Sequence, residues 1–323
     1  MISLLDRYRD RIESGLRGAL RGETSLLRIL RYHVGLGDGG ASLGKLIRPS
    51  LVLFTAEELG GRVDDALPAA VGLELVHGFS LIHDDLQDRD ETRRGRPSVW
   101  VRWGSAEAIN AGDLMHAIAL QTALSAGPAA AERLVAATCE MIEGQSMDLA
   151  FERRFVTEEE YLAMVDRKTG ALFRCAFELG GLCARADAGA IEVFSAIGAD
   201  VARAFQIRDD ALGIWGDGEA IGKPVGSDVR RKKKSYPVVA GHAEASSEDR
   251  RRLEGIYAEE AVVEEDVAWV VALLDRLGAR ARAEAAVEAR SGRALGAVER
   301  APFTPEGRRA LCELIEGLTR RDR

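Results

Sequence analysis

The chain lacks several features that would have pointed to other classes of protein. Cysteine occurs four times, without the paired spacing of a zinc ribbon or a disulfide framework, so the thiols indicate a reducing compartment such as the cytoplasm. No uncharged apolar run approaches the roughly twenty residues that a membrane helix needs, and the arginine-rich N-terminus lacks the apolar core of a signal peptide. We therefore expect a cytoplasmic protein with no membrane span, no stable membrane insertion and no export.

Basic residues are outnumbered, and lysine is scarce among them. The chain has 44 Lys and Arg against 52 Asp and Glu, and its net charge of −8 would repel a nucleic acid. Lysine binds phosphate as a compact point charge whereas arginine imposes a planar fork, so the few lysines indicate an anion site that rejects a fork. The alternative is a chance remnant, with residues 232–234 a solvated run. The lysines are Lys45, Lys168, Lys223, Lys232, Lys233 and Lys234.

Proline is also rare, and the long proline-free stretch predicts helices. Ala129 to Lys223 contains no proline, is rich in strong helix formers and lacks strand-type alternation. Thr157 before three glutamates predicts the N-cap of a helix that runs to about Arg185, and Asp187 predicts the cap of the next. With no linker in the sequence, we expect an all-α protein with one domain over residues 1–323.

An acidic cluster follows the apolar run Leu73–Ile82, at the predicted end of a long helix. Asp84 and Asp88 share one face of that helix and Asp85 flanks them. Carboxylates packed so closely repel one another unless a cation lies between them, and Mg²⁺ prefers carboxylate oxygens completed by water and phosphate. The alternative is a solvated acidic helix end.

A second acidic pair, Asp209–Asp210, ends another apolar helix. Two helices that each end in adjacent aspartates could place their carboxylates across a shared cavity and hold a small group of metal ions. The pairing of the two clusters favours a metal site over a solvated helix end.

Basic residues accompany the first acidic cluster. Lys45 and Arg48 share a helical face by spacing, with Pro49 in the first turn, and Arg93–Arg94 follow the acidic end. His77 lies two helical turns before that end. Together they indicate a second anion pocket that needs no metal, although a packed core residue is the alternative for His77.

These motifs together resemble the trans-polyprenyl diphosphate synthases, in the order typical of that family. The resemblance implies an antiparallel bundle of long helices around a central cavity, usually a homodimer, which joins isopentenyl diphosphate to an allylic diphosphate (dimethylallyl, geranyl or farnesyl). The motifs are Gly44–Pro49, Leu73–His77, His83–Asp88, Arg93–Pro97, Gly144–Asp148, Lys168–Gly170, Phe205–Asp210, Gly222–Lys223 and Gly226–Asp228.

The resemblance also implies roles for individual residues. Asp84 and Asp88, supported by Asp85, would bind two Mg²⁺ ions, and Asp209 with its neighbour Asp210 would bind a third. The residues implied to contact the allylic diphosphate are Arg93, Lys168, Lys223 and Lys233; those implied for the isopentenyl diphosphate pocket are Lys45, Arg48, His77 and Arg94; and those implied to offer oxygen dipoles to the allylic carbocation are Thr169 and Gln206.

Two positions bear on variation within this family. Gly213 stands where the second acidic motif normally has its third aspartate, so we expect a weaker third metal site and a raised Mg²⁺ requirement. Phe79, five residues before Asp84, resembles the residue that floors the product tunnel, which favours the twenty-carbon geranylgeranyl product. A farnesyl or longer product, a terpene cyclase, a non-catalytic regulatory subunit and a Ca²⁺- or lipid-binding helical module remain alternatives.

Overall fold

The protein is mainly helical in the residues that its computed structural model describes, which are 4–37, 42–216 and 225–319. The only strands in these ranges form one short antiparallel hairpin. The predicted all-α class is confirmed.

The helices follow one another with short connections. In chain order they are α1 (Leu4–Ala19), α2 (Ser25–Val34), α3 (Ile47–Glu58), α4 (Val63–Gln87), the hairpin β1 (Thr92–Arg93) and β2 (Arg96–Pro97), α5 (Val99–Trp103), α6 (Ser105–Leu124), α7 (Pro128–Phe151), α8 (Glu158–Val165), a π-helical segment (Asp166–Gly170), α9 (Ala171–Cys183), α10 (Ala188–Trp215), α11 (Ser227–Arg230), α12 (Tyr236–Glu244), α13 (Ser247–Ala258), α14 (Glu264–Arg276), α15 (Ala279–Arg300) and α16 (Pro305–Thr319).

The chain divides into two compact units, each made of non-adjacent stretches. Unit 1 comprises Met1–Cys139, Leu172–Ala196 and Arg300–Leu314, and unit 2 comprises Glu140–Ala171, Ile197–Glu299 and Ile315–Arg323. Neither unit is one continuous segment of sequence. The single domain over residues 1–323 stays a prediction.

Unit 1 is built on the close packing of α4 against α6. Glycines allow this approach: a methyl group on Gly78 would come 2.7 Å from the sulfur of Met115, and one on Gly112 would come 2.1 Å from Nε2 of His83. Real side-chain contacts are not that short, so each glycine makes room for a neighbour's side chain. Leu73 and Val76 of α4 are fully buried.

Unit 2 contains two apolar clusters around the end of α10. One includes Ile214, Val238 and Leu274, and the other includes Tyr161 and Ile207. Both clusters use side chains of α10 and α12 together with other helices, so the packing fixes the helix that carries Asp209 and Asp210.

The predicted start at Thr157 is confirmed, but the helix that it opens is interrupted. The Thr157 hydroxyl accepts from Glu160 N and the Glu160 side chain accepts from Thr157 N, which is a capping box. The π-helical segment then separates α8 from α9. Such segments are rare and often occur at functional sites. Asp187 accepts a 2.9 Å hydrogen bond from Ala190 N, as a cap should.

Helix α4 is long and apolar enough to cross a membrane by length and composition alone. About 67% of its most apolar window is buried inside the protein, which is characteristic of a core helix. This burial accounts for its apolar character without a membrane.

Gly144 lies where α7 touches the backbone of the π-helical segment, so we expect its replacement to destabilise the protein. A methyl group there would come 2.1 Å from the backbone nitrogen of Lys168. Overpacking of this kind costs about 1–3 kcal/mol, so Gly144→Ala should lower the free energy of unfolding by that amount. Gly255, on the open face of α13, has no atom within 4 Å of the same position. Gly255→Ala should therefore raise stability by up to about 1 kcal/mol. Equal effects in urea unfolding would contradict this interpretation.

Candidate active site

The three aspartates at the end of α4 differ in their exposure to solvent. Asp84 is half-buried and Asp88 is exposed, whereas Asp85 is fully buried. Asp88 caps the helix, and its backbone N–H donates to Asp84 O at 2.8 Å. Asp84 and Asp88 thus lie one helical turn apart at the end of α4, as the spacing predicts.

The hairpin after α4 is tied to that end by Arg93. Its Nε donates to Oδ1 of Asp85 at 2.8 Å, and its Nη2 donates to the same oxygen. Burial alone would lower the pKa of Arg93, but the hydrogen bonds and charge of Asp85 raise it overall. Arg94 and Gly95 at the tip both have positive φ, 54° and 71°, as in a type I′ turn. The turn places the predicted ligand residue Arg94 in a conformation that non-glycine residues rarely adopt.

Residues from three helices, α3, α4 and α9, meet around the guanidinium group of Arg48. Its Nη1 donates to Nε2 of His77 at 3.2 Å, and its guanidinium lies 4.7 Å from the ring centre of Phe173. Burial lowers the pKa of Arg48 to about 10, which still leaves it charged at neutral pH. Burial, with Arg48 and Arg94 nearby, holds the pKa of His77 well below its usual value, so the ring is a neutral acceptor.

One buried carboxylate, Glu74, lies within electrostatic reach of these cations. Burial raises the pKa of Glu74 to about 7, although Arg48 and Arg94 act in the opposite direction. One carboxylate that is only partly ionised near neutral pH does not balance two guanidinium groups. The cluster therefore keeps a surplus of positive charge.

The predicted helical pairing of Lys45 with Arg48 is wrong. Helix α3 begins at Ile47, and Leu46 before it has a left-handed φ of 51°, so the exposed Lys45 lies in the preceding loop. The Arg94 guanidinium packs against Gly44, which has a φ of 81°, and donates to Ser42 O at 3.3 Å. The loop that carries Lys45 is thereby held beside Arg94.

A small basic cavity of about 20 Å³ continues from this region within unit 1. Arg93, Arg94 and Arg96 line it together with the buried His33. Burial and the neighbouring Arg94 and Arg93 lower the pKa of His33 to about 3, so it adds no charge. The guanidinium of Arg96 lies 3.7 Å from the ring centre of Tyr32. The lining of this cavity is positively charged, and its volume is close to that of a single water molecule.

Phe79 is buried on α4 and packs against two histidines. Its ring centre lies 5.8 Å from that of His83 and 4.8 Å from that of His116. The role of Phe79 as a tunnel floor stays a prediction.

In unit 2, the fully buried carboxylate of Asp210 accepts hydrogen bonds from four groups. Tyr161 Oη donates at 2.6 Å, Lys233 Nζ at 2.7 Å, Tyr236 N at 2.8 Å and Gln206 Nε2 at 3.0 Å. Burial alone would raise the pKa of Asp210, but the Lys233 ammonium and these hydrogen bonds lower it overall. Metal binding by Asp210 stays a prediction, and the structure gives this carboxylate an internal anchoring role.

Lys168 and Thr169 occupy the π-helical segment. Lys168 Nζ donates to Oδ2 of Asp148 at 2.5 Å, and the Thr169 hydroxyl donates to Oε1 of Gln206 at 2.8 Å. A chain of hydrogen bonds thus runs from Thr169 through Gln206 to Asp210. It fixes the orientation of the two predicted dipoles.

Asp209 is exposed beside the buried Asp210, and Gly213 one turn later makes room for Asp228. A methyl group on Gly213 would come 2.4 Å from the carboxylate carbon of Asp228. Asp228 is buried, and Lys233 Nζ lies 3.8 Å from its Oδ2. A carboxylate from α11 therefore fills the space beside position 213. The predicted ligand Lys223 lies outside the described residues.

No group of three metal-ligating side chains gathers anywhere in the ranges 4–37, 42–216 and 225–319. Asp84 and Asp88 nevertheless fit Mg²⁺, which is often held by one or two carboxylates with the rest of its shell supplied by water and phosphate oxygens. Such an ion would need the substrate to complete its site. The two acidic clusters belong to different units, and their sharing of one ligand stays a prediction.

Five residues that take part in these contacts were not predicted from the sequence: Glu74, His33, Asp148, Tyr161 and Tyr236. Glu74 carried a usable signal, because a lone carboxylate inside an apolar helical run is costly unless it is paired. Asp148 stood inside a quoted motif without a partner. The other three acquire their roles only through contacts distant in sequence.

Comparison with known proteins identifies the family to which this geometry belongs. A family model described as polyprenyl synthetase matches residues 30–274, more than half of the chain. The chain belongs to the polyprenyl synthetase family. The match includes both acidic motifs, the hairpin arginines and the segment around Lys168.

Relatives within the polyprenyl synthetase family agree with this assignment. A (2E,6E)-farnesyl diphosphate synthase of Mycobacterium tuberculosis is 45% identical over 233 residues, which cover 69% of this chain and 65% of that enzyme. A geranylgeranyl diphosphate synthase of the same organism is 37% identical over 317 residues, covering 94% of this chain and 90% of that one.

A solved structure within the polyprenyl synthetase family confirms the fold. The geranylgeranyl pyrophosphate synthetase of Pyrococcus horikoshii superposes with a TM-score of 0.90 at 34% identity, and the match covers 99% of this chain and 98% of that one. The chain has the all-α isoprenoid synthase fold, as the resemblance implies.

Placing the missing aspartate at position 213 should destabilise this member of the polyprenyl synthetase family rather than strengthen the predicted metal site. The new side chain would meet the buried Asp228 carboxylate at a distance that no real contact allows, and the two negative charges would repel each other. We expect Gly213→Asp to lower the thermal midpoint and to leave the Mg²⁺ requirement no lower.

The swapped variant Gly213→Asp with Asp228→Gly is the matched control. It relieves the clash and keeps one carboxylate, so it should recover most of the midpoint lost by the single variant. A Gly213→Asp protein that is as stable as the wild type and needs less Mg²⁺ would contradict this interpretation.

Proposed function

We propose that this protein is a Mg²⁺-dependent prenyltransferase that condenses isopentenyl diphosphate with an allylic diphosphate. The observation that carries the proposal is the presence of a metal-free basic pocket and an acidic pair along the same helix, α4. A cyclase of the same fold ionises one prenyl diphosphate and has no use for a second anion pocket. A condensing enzyme must bind two diphosphates.

The basic pocket is suited to isopentenyl diphosphate, which keeps its diphosphate during the reaction. Nε of Arg48 is buried and has no hydrogen-bond partner among residues 4–37, 42–216 and 225–319. Buried donors are normally satisfied, so this one supports an anionic ligand. Arg94 and Lys45 would supply further charge, and the neutral His77 holds Arg48 in place.

The acidic pair is suited to the allylic diphosphate through divalent cations. Asp84 and Asp88 would hold two Mg²⁺ ions, and Asp209 would hold a third, with the support of Asp228. The bound ions would draw electron density onto the departing diphosphate and so lower the barrier to ionisation of the allylic C–O bond. Asp85 holds Arg93, which would contact that diphosphate.

Two lysines of unit 2 would add fixed positive charge to the leaving group. Burial alone would lower the pKa of Lys233, but Asp210 and Asp228 raise it well above its usual value, so the ammonium stays protonated. Asp148 positions Lys168. Lysine suits this role because its compact charge fits where a guanidinium fork does not. Lys223 would complete the set.

For formation of the carbon–carbon bond, the protein would supply oxygen dipoles and a site that excludes water. The oxygens of Thr169 and Gln206 would face the allylic carbocation, which the isopentenyl double bond attacks. The proton that is lost would pass to the released diphosphate. Exclusion of water matters because water would quench the cation as an alcohol.

Assembly and location are further parts of the proposal. Ile109 and Leu124 of α6 and Val135 of α7 expose large apolar side chains in unit 1. Exposed apolar surface supports an interface with a second copy, as in a homodimer. A cytoplasmic location agrees with the free cysteines.

The deciding experiment incubates the purified protein with labelled isopentenyl diphosphate, Mg²⁺ and each allylic starter, and then sizes the products. We expect prenyl diphosphates, and Asp84→Asn should reduce turnover on the order of 100-fold or more, because stabilisation of leaving-group charge is lost. Asp64→Asn, at an exposed aspartate in the first turn of α4, is the matched control and should retain activity. Hydrocarbon formed from geranylgeranyl diphosphate alone would instead indicate a cyclase, and a lack of turnover would favour a regulatory subunit.

The same measurement of product size tests how long a prenyl chain the protein makes. The proposed product is geranylgeranyl diphosphate, with farnesyl diphosphate as the alternative, since relatives of both names match. Phe79→Ala should lengthen the product if this ring floors the tunnel. Products of unchanged length would remove Phe79 from that role.

A further inference from the structure

A second cavity of about 500 Å³ lies within unit 2. We call it the α15 cavity, because α15 forms much of its wall with contributions from α10 and α16. The α10 residues that line it, Arg208, Ala211 and Leu212, are centred about 100° around the helix from Asp209. None of the proposed catalytic residues lines it.

The walls of the α15 cavity are largely aliphatic. Ala211 and Leu212 of α10 face Ala283, Val287 and Leu295 of α15. A volume of this size is typical of small-molecule sites, which combine apolar walls with a few polar groups. The apolar part of an occupant would therefore be a hydrocarbon chain or ring.

Two buried polar atoms in this lining lack a hydrogen-bond partner among the described residues of the chain. One is Oγ of Ser291, whose side chain is only 8% exposed. The other is Nε of Arg208, although its Nη1 donates to Leu318 O at 2.8 Å. Buried polar atoms are nearly always bonded, so the pair indicates a ligand with an acceptor oxygen.

The charges in the lining indicate whether the acceptor oxygen of the ligand belongs to an anionic or an uncharged group. Glu284, Glu288 and Glu316 also line the cavity, and Arg208 is the one basic residue among the described residues of the lining. Glu284 also lies 3.5 Å from Arg280, which is outside the lining, so part of the negative charge is offset. Carboxylates at this density would repel a carboxylate or a diphosphate. The hydroxyl of Thr319 already donates to Ile315 O at 2.8 Å.

We propose that the α15 cavity binds an uncharged amphiphile, with its hydrocarbon part between α10 and α15 and one hydroxyl or carbonyl oxygen bonded to Ser291 and Arg208. The occupant would contact the helix that carries Asp209 without touching the proposed catalytic residues.

The test uses 1-decanol as the probe, with decanoate as the matched anionic head group, in titrations followed by ligand-observed NMR. We expect saturable binding of decanol, with decanoate bound about 10-fold more weakly because of the glutamates. Ser291→Ala should weaken decanol binding about 5-fold, the usual effect of one lost hydrogen bond.

Cavity-filling variants locate the binding site. Val287→Trp should abolish the Ser291-dependent binding, and Leu295→Trp repeats the test if the first variant folds poorly by circular dichroism. Val263→Trp, at an exposed position outside the lining, is the matched control and should bind decanol like the wild type. Binding that is unaffected by Val287→Trp and Leu295→Trp, or decanoate that binds as tightly as decanol, would overturn the proposal.

Discussion

The fully buried carboxylate of Asp210 positions several of the predicted functional side chains in unit 2. It joins an ammonium, a phenol, an amide and the first turn of α12 through four hydrogen bonds. A charge placed so deep is tolerated only when it is fully bonded, and removal of a partner would leave it uncompensated. The orientation of Lys233 and Gln206, and through Gln206 that of Thr169, depends on this one group.

The two aspartate pairs share one arrangement of exposed and buried side chains. In each pair one member turns outward, half-buried Asp84 and exposed Asp209, and the next is fully buried, Asp85 and Asp210. The buried member holds a basic residue, Arg93 or Lys233. In each pair the buried aspartate therefore holds the scaffold, and metal binding by the outward aspartate stays a prediction.

Several features that depend on local chemistry could be predicted from the sequence. The capping box at Thr157, the cap at Asp187 and the acidic end of α4 are set by residues within one or two helical turns. These local rules place the helices, and the family resemblance supplies the fold.

What the sequence could not reveal depends on tertiary contacts. Lys45 leaves the helix because Leu46 adopts a left-handed conformation, which no spacing argument detects. The sequence indicates that Gly213 replaces a metal-binding aspartate, but in the structure Gly213 makes room for Asp228. The π-helical turn at Lys168 likewise has no signal in a helix-forming sequence.

We predict that the outward aspartates Asp84 and Asp209 both bind one diphosphate through divalent ions. The most direct test measures the affinity of a non-ionisable allylic thiodiphosphate, with and without Mg²⁺, in the wild type, Asp84→Asn, Asp209→Asn and the double variant. We expect Mg²⁺-dependent binding that each single change weakens, with effects in the double variant that do not add, as for groups that share a ligand. Affinity that is independent of Mg²⁺, or that is unchanged by Asp209→Asn, would contradict it.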